Sequence, residues 1–371
     1  MNIFMFPRLN DNQQSITSDD KPFVSIMIPA RNEAHIIGNT ISNLLAQDYT
    51  NYEIILLDDN SIDGTSEIAF ERSKNDPRLT IMNGQPLPDG WMGKNWACHQ
   101  MAQIAKGDIL IFSDADVQWQ PTALSTVVNQ MEASQADLFT VWSTQHTHTL
   151  AERLTVPLMA MVILSYLPII GVHHAPFSMF AAANGQCMAW KRKSYQKIGG
   201  HEAVKDNVLE DVTLARMVKS QKLRLRMIDG NRLVNCRMYD DWQSVKNGYA
   251  KNILAGYGNS VTLLILVTIF HWLLFIFPWV CLILGWISPL PALSLIATGI
   301  LIRAISASFT HQRLFDAILI PISVLLMTII AIQSIWWQIR YGGPKWKGRV
   351  IKRESKSITP AIHHSKEIQH G

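Results

Sequence analysis

The chain has 371 residues, of which 48% are apolar and 17% charged, with a formal net charge of +4. An ordinary soluble domain carries about 25% charge, so part of this chain is built to avoid water. The small positive excess argues against a nucleic-acid binder, and Cys98, Cys187, Cys236 and Cys281, with no CxxC pair, exclude a disulfide framework and a zinc site.

Residues 1–21 are polar and are expected to be disordered. They hold no long apolar stretch, so no cleaved signal peptide is expected and the soluble part should stay in the cytosol. A strand is predicted over Phe23–Ile28, ending at Pro29, and a helix over Glu33–Gln47, where Ile36, Ile37, Ile41, Leu44 and Leu45 recur at helical spacing. Glu53–Leu57 reads as a buried strand ended by Asp58-Asp59-Asn60-Ser61, and Gly64-Thr65 opens a second helix. Leu79–Met82 is a third strand, Trp96–Ala105 a helix, Asp108–Phe112 a fourth strand and Pro121–Ala133 another helix. Such alternation predicts an α/β fold with a parallel sheet covered on both faces. Ligands of these sheets bind at the carboxyl ends of strands, where the acidic clusters at Asp58 and Asp114 fall.

The C-terminal third is apolar. Val261–Ile287 and Leu314–Trp337 are long enough to span a bilayer, which takes about 20 residues; Leu290–Ile302 reaches that length only by including Arg303. Trp336-Trp337 and Arg340 resemble an interfacial belt, and Lys345, Lys347, Arg349, Lys352 and Arg353 read as a contact with anionic headgroups of membrane lipids. Three spans would put this basic tail opposite the soluble domain, against the positive-inside tendency. Leu154–Val172 is uncharged and is expected to lie along the membrane surface, with a buried core helix as the alternative.

The chemistry-bearing residues cluster at predicted strand ends and helix starts. Asp114 and Asp116 follow an apolar strand and can hold a hard divalent cation while leaving room for diphosphate oxygens. Asp58 and Asp59 exceed what helix capping by Asp63 or Ser61 requires, so one of them can accept hydrogen bonds from a base or ribose. Arg31, within Pro29-Ala30-Arg31-Asn32-Glu33, can stack on or bond a nucleotide. Lys94, beside Gly93 near a helix start, can reach phosphate oxygens. Asp211, with Glu210 second, is the candidate base that deprotonates an acceptor hydroxyl. Gly185, Trp242 and Lys246 are the acceptor-side candidates. No histidine spacing matches a zinc helix.

In order, VSIMIPARNE, EIILLDDNSIDGT, Gly93-Lys94, KGDILIFSDADV, Gly199-Gly200 and Leu209-Glu210-Asp211 resemble the family 2 glycosyltransferases of the GT-A fold. The resemblance runs from Val24 to about Asn252. It implies a mostly parallel central sheet, a UDP-sugar donor and inverting transfer. It also implies nucleoside contacts at Pro29, Ala30, Arg31, Glu33, Asp58 and Asp59, diphosphate and Mg²⁺ or Mn²⁺ at Asp114 and Asp116, and Asp211 as base. Processive members carry QxxRW; Asp241-Trp242-Gln243-Ser244-Val245-Lys246-Asn247 lacks the arginine-tryptophan pair, which favours transfer of a single sugar. Gly90–Cys98 and Lys345-Trp346-Lys347-Gly348-Arg349 resemble the carotenoid and hopanoid-associated members, which implies a lipid-soluble acceptor. The expected organisation is a GT-A domain over 22–258, transmembrane helices over 259–338 and a basic tail over 339–371, anchored as a multi-pass membrane protein. A polyprenyl-phosphate sugar transferase is the rival enzyme, with Lys191, Arg192, Lys193, Lys246 and Lys251 to hold the lipid phosphate. A non-enzymatic membrane protein is less favoured, because only Arg303 and Asp316 charge the apolar runs.

Overall fold

The computed structural model describes residues 2–11, 21–346 and 349–350. The strands are β1 (Val24–Ala30), β2 (Tyr52–Asp58), β3 (Leu79–Asn83), β4 (Ile109–Ser113), β5 (Val117–Trp119), β6 (Leu138–Trp142), β7 (Thr144–Gln145), β8 (Cys187–Lys191), β9 (Leu225–Asp229) and β10 (Val234–Cys236). The helices of the sheet-bearing half are α1 (Asn2–Met5), α2 (Ala34–Leu45), α3 (Thr65–Ser73), α4 (Gly93–Ile104), α5 (Ala123–Ala133), α6 (Leu150–Tyr166), α7 (Ile169–His174), α8 (Arg192–Lys197) and α9 (Glu210–Ser220). Those that follow are α10 (Trp242–Gly256), α11 (Val261–Phe275), α12 (Phe277–Leu284), α13 (Pro289–Phe309) and α14 (Ile320–Tyr341).

A seven-stranded sheet runs in the order β3-β2-β1-β4-β8-β6-β9. Its strands are near-continuous buried apolar runs, because helices cover both faces. One apolar layer joins β1 and β2 to α2 and α5 through Ile28, Ile41, Leu56 and Val127. The other joins Met27, Leu57 and Phe112 to Met101 of α4 and Leu214 of α9. The sheet is mostly parallel, but β8 runs antiparallel to both β4 and β6. A mostly parallel sheet is what the resemblance implied, and the reversal within it matters for function: it brings the loop before β8 against the carboxyl end of β4.

Three expectations are corrected. The N-terminal residues 2–10 are not a loose tail: Leu9 is fully buried, its N–H donates to the Asp229 carbonyl, and Arg8 pairs with the Asp229 carboxylate. The first apolar run is not one span. It breaks at Ile276 into α11 and α12, because Pro278 supplies no N–H to continue the ladder and its ring opposes the preceding turn. The middle run, by contrast, forms one unbroken helix, α13. Two segments, Pro289–Phe309 and Leu314–Tyr341, are long and apolar enough to cross a membrane, and α10 with α11 would add a third if that pair, bent by 112°, counts as one span. Arg303, which made the middle run look doubtful, is buried, and its Nη2 donates to the Arg153 carbonyl. Asp316 pairs with the Arg153 guanidinium through both oxygens, tying the C-terminal helices to α6.

The 154–172 segment is a helix pair broken at Leu167-Pro168. Thr149 and Glu152 start α6 with a reciprocal capping box. Leu154, Leu158 and Met161 are buried, and α6 packs on α10, α13 and α14, while Met159, Tyr166 and Ile170 are exposed. Lys347, Lys352 and Arg353 of the expected basic tail lie outside the described residues.

Candidate active site

Strand ends β1, β2 and β4 converge on one edge of the sheet. The turn after β1 and the turn after β2 are fastened together: Asn32 N–H donates to Ser61 Oγ at 2.9 Å, and Ile62 N–H to Asn32 Oδ1 at 3.0 Å. Asn32 and Asn60 both take positive φ, a conformation asparagine tolerates better than most residues. The two acids of the first cluster divide their work. Asp58 is spent on the turn, accepting from Ser61 N–H at 2.9 Å and from Ser66 Oγ. Asp59 pairs with Arg31 at 3.2 Å, and Arg31 also donates to the Asp59 carbonyl. Pro29 and Ala30 close β1 beneath them. Asp63 serves two helices: it accepts from Thr65 N–H at the start of α3, as expected, and from the N–H of Ala34 at the start of the neighbouring α2. Glu33 hands its carbonyl to Ile36 and Ile37, and its charge reaches Asp116.

Asp114 and Asp116 lie in the turn beyond β4, not on its pleat. Asp114 accepts from Lys94 Nζ at 2.8 Å with both side chains about a third exposed. Asp116 is half-buried, and its enclosed Oδ1 has no hydrogen-bond partner. Burial, and then the Asp114 charge, push its carboxyl up to about 7. An orphaned buried carboxylate oxygen beside a second carboxylate is the chemistry that a hard divalent cation satisfies. Among the described residues no three or more His, Cys, Asp or Glu side chains are grouped to hold a metal. A cation held here would draw its remaining ligands from phosphate or water oxygens.

Lys94 stands in the first turn of α4, two residues before the predicted helix start, and is shared: its Nζ lies 3.0 Å from Glu210 Oε1 as well. Asn95 beside it donates to the carbonyls of Val204 and Asn207, which positions the segment leading into α9. Burial alone would raise Glu210, but the Lys94 charge and hydrogen bond bring it below the usual range. Asp211, next in the chain, is raised to about 6 by burial and then by Glu210. Adjacent carboxylates pushed apart in this way take different roles. Asp211 is the one that can be a proton acceptor near neutral pH. Its Oδ2 accepts from Gly185 N–H at 2.9 Å. A side chain on Gly185 would meet Lys94 Nζ at 3.2 Å, Glu210 Oε1 at 3.3 Å and Asp211 Oδ2 at 3.4 Å, so the close approach calls for glycine.

Asp211 also lines a cavity of about 630 Å³. Asn184, Leu209 and Ser143 contribute from the sheet-bearing half. Val156 and Met161 of α6, Tyr249 and Asn252 of α10, His271 of α11 and Met327 of α14 contribute from the helices. Glu210 does not line it. Trp242 packs instead with the apolar cluster around Val245 and Tyr249, and Lys246 on the same helix is half-buried; neither lines the cavity. Residues missed in the sequence include Gln186, whose Nε2 donates to Cys236 Sγ, and Asn252 and Gln145, which carry no motif signal.

A sequence model described as glycosyl transferase family 2 matches residues 25–197, the span holding the nucleotide-side acids and the Asp114–Asp116 turn. Residues 25–197 form a family 2 glycosyltransferase domain. This glycosyltransferase is 28% identical over 364 residues to the 4,4'-diaponeurosporenoate glycosyltransferase of Staphylococcus aureus (strain USA300), covering 92% of this chain and 89% of the relative. The Staphylococcus haemolyticus protein of the same name is 26% identical over 242 residues, or 63% of this chain and 61% of that one. A Pyrobaculum calidifontis mannosyltransferase, solved in complex with GDP-Man and Mn2+, superposes with a TM-score of 0.52 at 18% identity, covering 88% of this chain and 91% of that chain. At that identity the likeness is one of fold, and the fold is GT-A.

Proposed function

We propose that this glycosyltransferase moves one sugar from a UDP-sugar, UDP-glucose first among them, to a lipid-soluble acceptor of the carotenoid kind. The observation that carries the reading is the position of Asp211, in the wall of a largely apolar cavity completed by α10, α11 and α14. A base at that point meets an acceptor that dissolves in lipid, and the apolar C-terminal helices keep the cavity at the membrane. The chain is multi-pass in this reading, with the catalytic half on the cytosolic side. The name of the S. aureus relative, a carotenoid-acid glycosyltransferase, agrees with the acceptor class.

Arg31, Asp59 and the backbone around Pro29 and Ala30 hold the nucleoside, while Asp58 keeps their turn in shape. Lys94 faces the diphosphate and neutralises Glu210. Asp211, fixed by Gly185 N–H, removes the acceptor proton as the acceptor oxygen attacks the anomeric carbon from the side opposite the leaving diphosphate, which inverts the centre. When bound by Asp114 and Asp116, Mg²⁺ or Mn²⁺ supplies charge neutralisation for the departing diphosphate.

The polyprenyl-phosphate alternative needs cations around the acceptor. Lys191, Arg192, Lys193, Lys246 and Lys251 are absent from the cavity lining, so the carotenoid reading is favoured. The test is transfer from radiolabelled UDP-glucose into the lipid extract of membranes expressing the chain in a carotenoid-making host, with Mn²⁺ or with EDTA. Metal-dependent label in a coloured lipid band supports the reading; label in a colourless, acid-labile lipid replaces it with the polyprenyl one.

A further inference from the structure

The cavity that holds Asp211 reaches the outer surface between two helices. On α6, Met159, Val162, Ile163 and Tyr166 line it. On α11, Leu264, Val267, Thr268 and His271 line it. Both sets fall at i, i+3, i+4 and i+7, so each helix turns one whole stripe toward the cavity. Tyr166 is 49% exposed and Met159 41%, so the α6 stripe lines the cavity and meets the outside at once. The surface beside the stripes is apolar, with Leu266 and Phe270 of α11 and Ile170 of α7 exposed. Apart from His271 and two threonines, α11 is apolar all round, as a helix that faces lipid is.

The two helices are not packed together. α6 packs on α10, α13 and α14, and α11 on α12, α13 and α14, but α6 and α11 share no extended face among the described residues. Tyr166 and His271 meet across the gap. Tyr166 Oη lies 3.4 Å from His271 Nε2, and the rings stand edge to face with centroids 5.9 Å apart. His271 Nδ1 donates to the Val267 carbonyl at 2.8 Å, which leaves Nε2 as the acceptor and the Tyr166 O–H as the donor. A bond of that length is weak, so it closes the gap without locking it.

The side able to yield is α11. Only Leu264 and Phe275 of this helix are buried. Gly258, in positive φ, precedes it and the break at Ile276 follows it. An element with few buried contacts and a joint at each end moves at small cost. By contrast α6 is held along its length. Pro157 offers no N–H to the Arg153 carbonyl one turn earlier, and Arg303 donates to that carbonyl instead. At the far end Asn2 donates to the Leu164 and Leu167 carbonyls.

We propose that the lipid acceptor enters the cavity sideways, out of the hydrocarbon of the membrane, through the slot between α6 and α11, with Tyr166 and His271 as the clasp that closes it. The proposal rests on the lipid-acceptor reading above and adds its route. The occupant that fits is an elongated apolar chain with a polar end. The chain lies between the two stripes, and the polar end goes in first, toward the wall that holds Asp211. A route through water would expose the whole chain at a cost that grows with every carbon, and the slot avoids it.

The experiment uses the purified full-length chain in liposomes carrying 4,4'-diaponeurosporenoate or a hydroxylated carotenoid, with radiolabelled UDP-glucose. Tyr166→Cys and His271→Cys are combined and joined by a short bifunctional methanethiosulfonate. Cys98, Cys187, Cys236 and Cys281 are buried, so the reagent meets the two new thiols. Joining them is expected to lower acceptor kcat/KM by roughly tenfold or more, because the open form is removed, and a thiol reductant should restore it. UDP affinity should stay unchanged throughout. Each single variant, treated alike, gives the effect of the reagent alone. Equal turnover by the joined and the reduced protein overturns the lateral route and leaves the lipid-acceptor reading standing. Failure of the reagent to join two thiols that it labels singly overturns the clasp. No label in any lipid from the wild type, with UDP still bound, overturns that reading and the route with it. Met159→Trp narrows the slot at its exposed edge without touching the clasp, and covers the case of a double variant that fails to fold. It is expected to raise the acceptor KM severalfold with the donor KM unchanged; an unchanged acceptor KM counts against the route.

Discussion

The backbone N–H of Gly185 donates to Asp211 Oδ2 at 2.9 Å, which ties the loop before β8 to the first turn of α9. An asparagine at 211 can keep that bond through its own oxygen, so Asp211→Asn removes a proton acceptor without removing a contact. It is expected to lower kcat by roughly 10²- to 10⁴-fold, with UDP affinity held within about twofold. Wild-type activity should rise with pH through about 6, where Asp211 gives up its proton, and level off above. The residual activity of the variant should not follow that limb. Stopped assays from pH 5 to 8 decide it: equal losses of kcat and UDP affinity would point away from a base.

Lys94 lowers both Glu210 and Asp211 toward their charged forms. Lys94→Met is expected to move the acidic limb of kcat/KM upward from about 6, because both carboxylates hold their protons more tightly without it. Lys94→Arg should restore most of the shift. The stability cost is expected to be about 1 kcal/mol or somewhat more, below that of a fully buried pair, because Lys94 is a third exposed. The deciding data are pH–rate profiles of the three proteins; a limb that stays at about 6 in Lys94→Met would separate Lys94 from the base.

How much of this was readable beforehand depends on the range of the interactions concerned. Ile26, Ile54 and Ile111 sit in buried parallel strands, which need uninterrupted apolar runs, so the strands announce themselves and the acids after them stand out. Cys187–Lys191 has the same apolar character, but nothing local tells a strand its direction, and so the reversal that delivers Gly185 to Asp211 was not legible. The cavity wall joins Ser143 to Asn252 and Met327, residues that only tertiary packing brings together. The apolar run at 261–287 was visible as composition, while its break at Ile276 hangs on one proline. The docked N-terminus rests on Phe6 and Leu9, too few apolar residues to form a pattern.

Asp116 carries a stability signature. Its folded pKa of about 7 exceeds the ordinary 3.8, so the folded metal-free protein holds that proton more tightly than the unfolded chain. Its contribution to stability is therefore lost as pH rises from about 4 toward 7. Asp116→Asn removes the penalty: without metal, the variant is expected to melt no lower than wild type at pH 8. Mn²⁺ should raise the wild-type melting temperature and leave the variant unmoved, with transfer abolished. Thermal unfolding with EDTA or Mn²⁺ at pH 6 and pH 8 provides the check; equal Mn²⁺ stabilisation of both proteins would remove Asp116 from the cation site.

Gly248 tests the cavity from behind. A Cβ there would fall 2.3 Å from the Tyr239 ring, and Tyr239 is a buried cavity-lining residue packed 5.5 Å from the Tyr249 ring. Gly248→Ala must displace Tyr239, at an overpacking cost of about 1–3 kcal/mol. The wall that moves is the acceptor's, and the nucleotide-side turns are built from other elements. Acceptor KM is therefore expected to rise severalfold while the donor KM stays within about twofold. Gln243→Ala, at an exposed position of the same helix outside the cavity lining, serves as the control and should be kinetically silent. If Gly248→Ala raised the donor KM as much as the acceptor KM, the division of labour between the sheet edge and the helical cavity would be wrong.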